Sequence, residues 1–112
     1  MIRLGFPLLA VLAFAMPALA ETQVANQTYL CERDLRVPVV YVNADDISLA
    51  VLLVEGRQVL LYTEPAASGA RYAWPSDGSG YVWWTKGDEA TLYWKDGEAG
   101  TEEPVLTGCK AG

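Results

Sequence analysis

Carboxylates are plentiful in this chain, and their usual catalytic companion is missing. It has 14 Asp and Glu residues and no histidine, so neither a Ser-His-Asp nor a Cys-His nucleophile can be assembled, and the commonest zinc ligand is absent. Three adjacent acidic pairs, Asp45-Asp46, Asp88-Glu89 and Glu102-Glu103, raise the question of a two-carboxylate glycosidase. They lie mostly at turn positions, where acidic residues are ordinary solvated groups, and so short a chain leaves little room for a substrate cleft. Asp77-Gly78-Ser79 and Asp96-Gly97-Glu98 lack the further spaced ligands of an EF-hand loop. No glycine-rich loop follows a strand and opens a helix, so nucleotide binding has no support. The inventory points to a protein that binds and does not catalyse, and it implies no metal and no cofactor.

Aromatic residues are the other chemically useful group. Trp74, Trp83, Trp84 and Trp94, with Tyr72, Tyr81 and Tyr93, crowd the second half of the chain. Trp83 and Trp84 are neighbours, so on one strand they point to opposite faces. An exposed Trp would stack on sugar rings or anchor a protein interface; otherwise it simply covers the surface of the sheet. A small carbohydrate- or cell-wall-binding module therefore stands beside a protein-binding one.

The elements that must position these residues are short strands. Turn signals recur at Asn43-Ala44-Asp45-Asp46, Glu55-Gly56, Pro65-Ala66, Pro75-Ser76-Asp77-Gly78-Ser79-Gly80, Gly87-Asp88 and Asp96-Gly97-Glu98-Ala99-Gly100. Between them lie runs rich in Val, Leu, Tyr, Trp and Thr, which suit a pleated, half-buried surface. Eight strands are predicted, over 28–33, 35–42, 47–54, 57–63, 70–74, 81–86, 89–95 and 104–109. In the seventh, Ala90, Leu92 and Trp94 share one face and Thr91, Tyr93 and Lys95 the other. The run 47–54 is almost continuously apolar, as for a strand buried on both sides or close to a barrel seam. Residues 21–26 read as a ragged start. The pattern predicts an all-β domain, a small antiparallel sandwich or barrel.

Residues 1–20 read differently. Arg3 is their single charge, an apolar stretch follows, and Ala18-Leu19-Ala20 precedes Glu21, the three parts of a secretory signal peptide. The stretch is too short to span a bilayer comfortably. Removing it from the 112-residue chain, with its 8 basic and 14 acidic side chains, leaves 92 residues with 7 basic and 14 acidic ones, a net charge of −7. That balance argues against nucleic acid or an anionic membrane surface as partner and favours a cationic partner or none. In an exported protein Cys31 and Cys109 are expected to be oxidised to one disulfide. On the chain-entropy model, closing the loop between positions 31 and 109 is worth on the order of 4 kcal/mol. No cysteine follows the small residues before Glu21, so a soluble, unanchored protein is expected, as a monomer or weak homodimer.

Two segments carry a specific resemblance: Ala67-Ser68-Gly69-Ala70-Arg71-Tyr72, and Trp84-Thr85-Lys86-Gly87-Asp88-Glu89-Ala90-Thr91-Leu92. In this order, inside a small exported β-domain, they resemble the signature of the MliC/PliC family, periplasmic or membrane-bound inhibitors of C-type lysozyme in Gram-negative bacteria. Tyr29-Leu30-Cys31, Val40-Tyr41, Ala50-Val51-Leu52 and Cys109 extend the likeness over nearly all of residues 21–112. The resemblance implies an eight-stranded antiparallel β-barrel closed by one disulfide. It also implies a periplasmic inhibitor with no enzymatic activity of its own, whose loop enters the lysozyme active-site cleft. Ser68 and Lys86 would then meet the two catalytic carboxyls of the enzyme. Gly69, Ala70, Arg71, Tyr72, Thr85 and Gly87 complete the implied lysozyme-binding set. Within it Gly69 and Gly87 would shape the backbone, and Tyr72 would serve as loop buttress or as contact. Arg71, Asp88 and Glu89 would pair with one another to hold the loops. Ala73 to Gly80 make a longer connection than the family's compact hairpin, either a tip extension or a change of reach into the cleft that adds a Trp74 contact.

Overall fold

The computed structural model describes Gly5 and residues 21–112. The predicted signal peptide, Gly5 apart, lies outside the described residues. Eight strands follow one another in chain order: β1 (Gln23–Leu30), β2 (Arg36–Asn43), β3 (Ser48–Val54), β4 (Arg57–Glu64), β5 (Ala70–Ala73), β6 (Gly80–Lys86), β7 (Glu89–Asp96) and β8 (Thr101–Ala111). Each pairs antiparallel with the next, and β8 returns to β1, which closes the barrel. All eight predicted strands are present, and of the sandwich and the barrel it is the barrel that forms.

Tight turns make this path possible. Glu55 and Gly56, between β3 and β4, both have positive φ, +48° and +79°, as a two-residue type I′ hairpin requires. Closure itself is narrow. β1 and β2 share eight register pairs, whereas β1 and β8 share two, Tyr29 with Ala111 and Leu30 with Lys110. One step further along that register the Cys31–Cys109 disulfide ties the same two strands covalently. Both cysteines are buried. The bond thus sits at the seam where the hydrogen-bond ladder is shortest.

The interior is filled from every strand. Trp83, Leu52, Leu61, Leu92, Val37 and Val39 are the large side chains sealed there. The Trp83 indole N–H donates to the Tyr41 hydroxyl at 2.8 Å, and that hydroxyl also meets the Tyr29 hydroxyl at 2.8 Å. Burial pushes the Tyr41 hydroxyl well above the ordinary tyrosine pKa, so it stays protonated and available to this network.

Four sequence expectations need correction. The run 47–54 is not buried on both sides: Ala50, Leu52 and Val54 face the core while Leu53 is 41% exposed, so β3 alternates like its neighbours. Residues 23–26 are not ragged, since they pair with Val40 to Asn43 of β2. The first strand stops at Leu30, because Arg33 and Asp34 take positive φ, +59° and +57°, in the short 3-10 turn Glu32–Asp34. Glu102 and Glu103 are not turn residues; they open β8 opposite Lys95 and Trp94. Pro104 lies in β8 opposite Tyr93 of β7, in the part of the strand that β1 does not pair, since β1 meets only positions 110 and 111.

Candidate functional site

Because the strands run alternately up and down, the β4–β5 loop (65–69) and the β6–β7 turn (87–88) lie at the same end of the barrel. Ser68 is on that loop and Lys86 is the last residue of β6; both are exposed. Gly69 is what joins them. Its φ is +66°, and a β-carbon there would lie 2.1 Å from the Thr85 carbonyl oxygen and 2.8 Å from Lys86 Cγ. Only a glycine permits both that conformation and that approach. The Thr85 hydroxyl donates to the Ala70 carbonyl at 3.3 Å, and the β5–β6 ladder pairs Ala70 with Thr85. Gly87 has φ +60°, as the first central position of a type II′ hairpin demands, and so it ends β6 directly after Lys86.

Trp84 supports both exposed groups. Its indole N–H donates to the Ser68 carbonyl at 2.9 Å. The Lys86 ammonium lies 4.9 Å from the centre of the same ring, and the Arg71 guanidinium 5.2 Å from it. Lys86 has no ion-pair partner among the described residues. Beside it a shallow depression of about 160 Å³ is lined by Trp84, Lys86, Glu89, Thr91 and Tyr93.

Arg71 is placed otherwise than expected. It binds neither Asp88 nor Glu89; its guanidinium pairs with Glu64 of β4 and Glu102 of β8, with one bond to Glu102 at 2.9 Å. To reach Glu102 the side chain must cross the outer faces of β6 and β7, which brings it over Trp84. The Glu102 hydrogen bonds, and secondarily those to Glu64, hold its charge more firmly than in a free arginine. Glu89 instead lies 4.0 Å from Lys110. Tyr72 is 7% exposed and belongs to the core, which favours the buttress among its two expected roles.

The long connection after β5 lies at the opposite end of the barrel from Ser68 and Lys86. It is pinned there: Lys95 Nζ donates to the Ser76 carbonyl at 3.0 Å, and the Gly97 N–H donates to Ser79 Oγ at 2.9 Å. Trp74 packs on Tyr62, 5.9 Å between ring centres. The loop therefore extends the far tip of the barrel. Of the two adjacent tryptophans, Trp83 is sealed in the core and Trp84 faces outward. Trp84 is the member of the site that sequence reasoning left out of the binding set. Its position two residues before Lys86, hence on the same face of one strand, was the available signal.

At this end of the barrel a serine-bearing loop and a lysine ammonium with no ion-pair partner among the described residues lie beside one another. That arrangement defines a closed β-barrel that presents a serine-bearing loop beside a lysine at one end. The chain belongs to the MliC family, membrane-bound lysozyme-inhibitor of c-type lysozyme, whose family model matches residues 29–100. A membrane-bound lysozyme inhibitor of C-type lysozyme from Pseudomonas aeruginosa is 42% identical over 87 residues, 75% of this chain. The chain spans 65% of that relative's length. Among solved structures, Pseudomonas aeruginosa MliC in complex with hen egg white lysozyme aligns with 29% identity and a TM-score of 0.64, over 100% of this chain and 99% of that one. The periplasmic lysozyme inhibitor of C-type lysozyme from Salmonella typhimurium aligns with 25% identity and a TM-score of 0.66, over 80% of this chain and 99% of that one.

Proposed function

We propose that this protein is a periplasmic inhibitor of C-type lysozyme, which places Ser68 and Lys86 in the enzyme's active-site cleft and so blocks peptidoglycan hydrolysis. The observation that carries the reading is the pairing itself. A hydroxyl-bearing loop and an unpaired ammonium are locked against each other through Gly69, at the end of a rigid barrel whose family is that of lysozyme inhibitors.

The chemistry of the target matches the pair. Lysozyme works with one carboxyl held protonated as the acid and one held ionised. A hydroxyl donates to or accepts from a carboxyl in either state, and an ammonium complements the ionised one with three donors on a flexible stem. Once seated, the two groups occupy the catalytic carboxyls and the loop excludes substrate. The charge of −7 on residues 21–112 speeds encounter with a basic enzyme by long-range attraction. Arrival is electrostatic; inhibition is steric and local.

The test is the clearing of a Gram-positive cell-wall suspension by hen egg white lysozyme, with residues 21–112 added in increasing amounts. Dose-dependent protection is expected from the wild type. Lys86→Ala, checked for an unchanged melting temperature, should lose about 2–5 kcal/mol of binding, because a desolvated enzyme carboxylate is left without its partner. Full protection by the folded variant would contradict the site, and no protection by the wild type at large molar excess would contradict the hen enzyme as target.

A further inference from the structure

We infer that Trp84 is a positioning residue for inhibition: one indole sets both presented groups, through its N–H for the Ser68 loop and through its ring face for the Lys86 ammonium. The inference rests on the function proposed above and concerns how that site is held before any enzyme arrives.

Three observations converge on it. Among the described residues the Trp84 N–H is the one side-chain donor on the Ser68 carbonyl, at 2.9 Å, and it spans from β6 to a loop residue 16 positions away. The Lys86 ammonium lies 4.9 Å from the same ring's centre, within the reach of a cation–π attraction. The indole is itself flanked by a held group. Arg71 lies 5.2 Å from it, and Arg71 is in turn clamped by Glu64 on β4 and Glu102 on β8. A chain of fixed groups thus runs from two strands on either side of the site, through Arg71 and Trp84, to Ser68 and Lys86.

The physical consequence is a reduced ordering cost. A lysine on an exposed strand end samples many rotamers, and freezing them on binding weakens association. A ring face that already holds the ammonium removes part of that loss, yet it is neutral and leaves the charge uncompensated for an incoming carboxylate. A carboxylate partner within this chain would have fixed the lysine equally well and cancelled the charge that the enzyme must meet. Tryptophan is the side chain that fixes without neutralising, and its N–H adds the tie to Ser68 that phenylalanine lacks.

The experiment has two readouts. In the free protein, side-chain NMR of Lys86 should show methylene protons displaced upfield by the indole ring current. That displacement should vanish in Trp84→Leu and persist in Trp84→Phe. In binding to hen egg white lysozyme, Trp84→Leu should weaken the wild type by about tenfold, the scale of a partly desolvated cation–π contact, with Trp84→Phe between the two. In a Lys86→Ala background the same Trp84→Leu change should keep only the smaller loss that Trp84→Phe shows, the part owed to the N–H tie to Ser68. Equal losses in both backgrounds would overturn the inference, because the ring face would then contribute nothing through Lys86. So would Lys86 methylene shifts at random-coil values in the wild type. If Lys86→Ala binds as tightly as the wild type, the proposed site fails instead. The ring-current displacement, read without lysozyme, tells that failure from the other.

Discussion

Gly69 and Thr85 are in backbone contact so close that a β-carbon on the first would stand 2.1 Å from the carbonyl oxygen of the second. Through this contact a loop that joins two strands is pressed on a third, and Ser68 is carried to the side of Lys86. Gly69→Ala meets two obstacles at once, the collision and a φ of +66°. It should cost about 1–3 kcal/mol of folding stability as backbone strain. It should also lower lysozyme inhibition by more than the unfolded fraction explains, because the loop must lift from β6. Denaturant unfolding and inhibition measured on one preparation check both parts; inhibition that tracks only the folded fraction would contradict the loop placement.

The disulfide prediction follows from the seam. With two register pairs between β1 and β8, the Cys31–Cys109 bond supplies much of the constraint that keeps the barrel closed. Cys31→Ala with Cys109→Ala should lower stability by about 2–5 kcal/mol. Amide exchange should rise first in β1 and in the last residues of β8. Uniform exchange across all strands would argue that the bond acts on the unfolded chain alone.

A third prediction concerns the interior. Tyr41→Phe removes the acceptor of the buried Trp83 indole N–H and the partner of the Tyr29 hydroxyl. Leaving a buried donor unmatched costs about 1–3 kcal/mol. For a domain of this size, each kcal/mol corresponds to roughly 4–8 °C in melting temperature. Inhibition per folded molecule should be unchanged, since the network lies inside the barrel.

Acid sensitivity has a local source at Glu32. Its carboxylate accepts the Thr107 backbone N–H at 3.1 Å, and this bond holds its pKa below the usual 4.5. A carboxyl with a lowered folded-state pKa contributes stability that is fully present above its unfolded value and is lost as pH falls through the folded one. Wild type should therefore be more stable than Glu32→Gln near neutral pH, with the gap closing below the usual 4.5. Melting curves of the two proteins across that range test this; a gap independent of pH would contradict it.

Much of this architecture is legible in residue order because short strands and tight turns are local features. Glu55-Gly56 marks a hairpin by itself, and Ala90, Leu92 and Trp94 alternate with Thr91, Tyr93 and Lys95 on an amphipathic strand. Local pattern fails where the outcome depends on a neighbour. Leu53 is as apolar as Leu52, and only the closed barrel decides which of them meets water. Glu102-Glu103 falls outside the strand predicted over 104–109, yet Lys95 lies opposite Glu102 and Arg71 reaches it from 31 positions away. The expected pairing of Arg71 with Asp88 and Glu89 failed for that reason. The motif singles out Ser68 and Lys86, while the contact that joins them, Gly69 on Thr85, belongs to the register of β5 and β6.

The most direct test pairs this chain with hen egg white lysozyme in a double-mutant cycle. Lys86→Ala is measured against wild-type enzyme and against an enzyme whose ionised catalytic aspartate is replaced by asparagine. If Lys86 meets that carboxylate, the substitution should cost about 2–5 kcal/mol of binding with the wild-type enzyme and little with the asparagine variant. An equal loss with both enzymes would place Lys86 elsewhere in the interface and contradict the proposed engagement of the catalytic carboxyls.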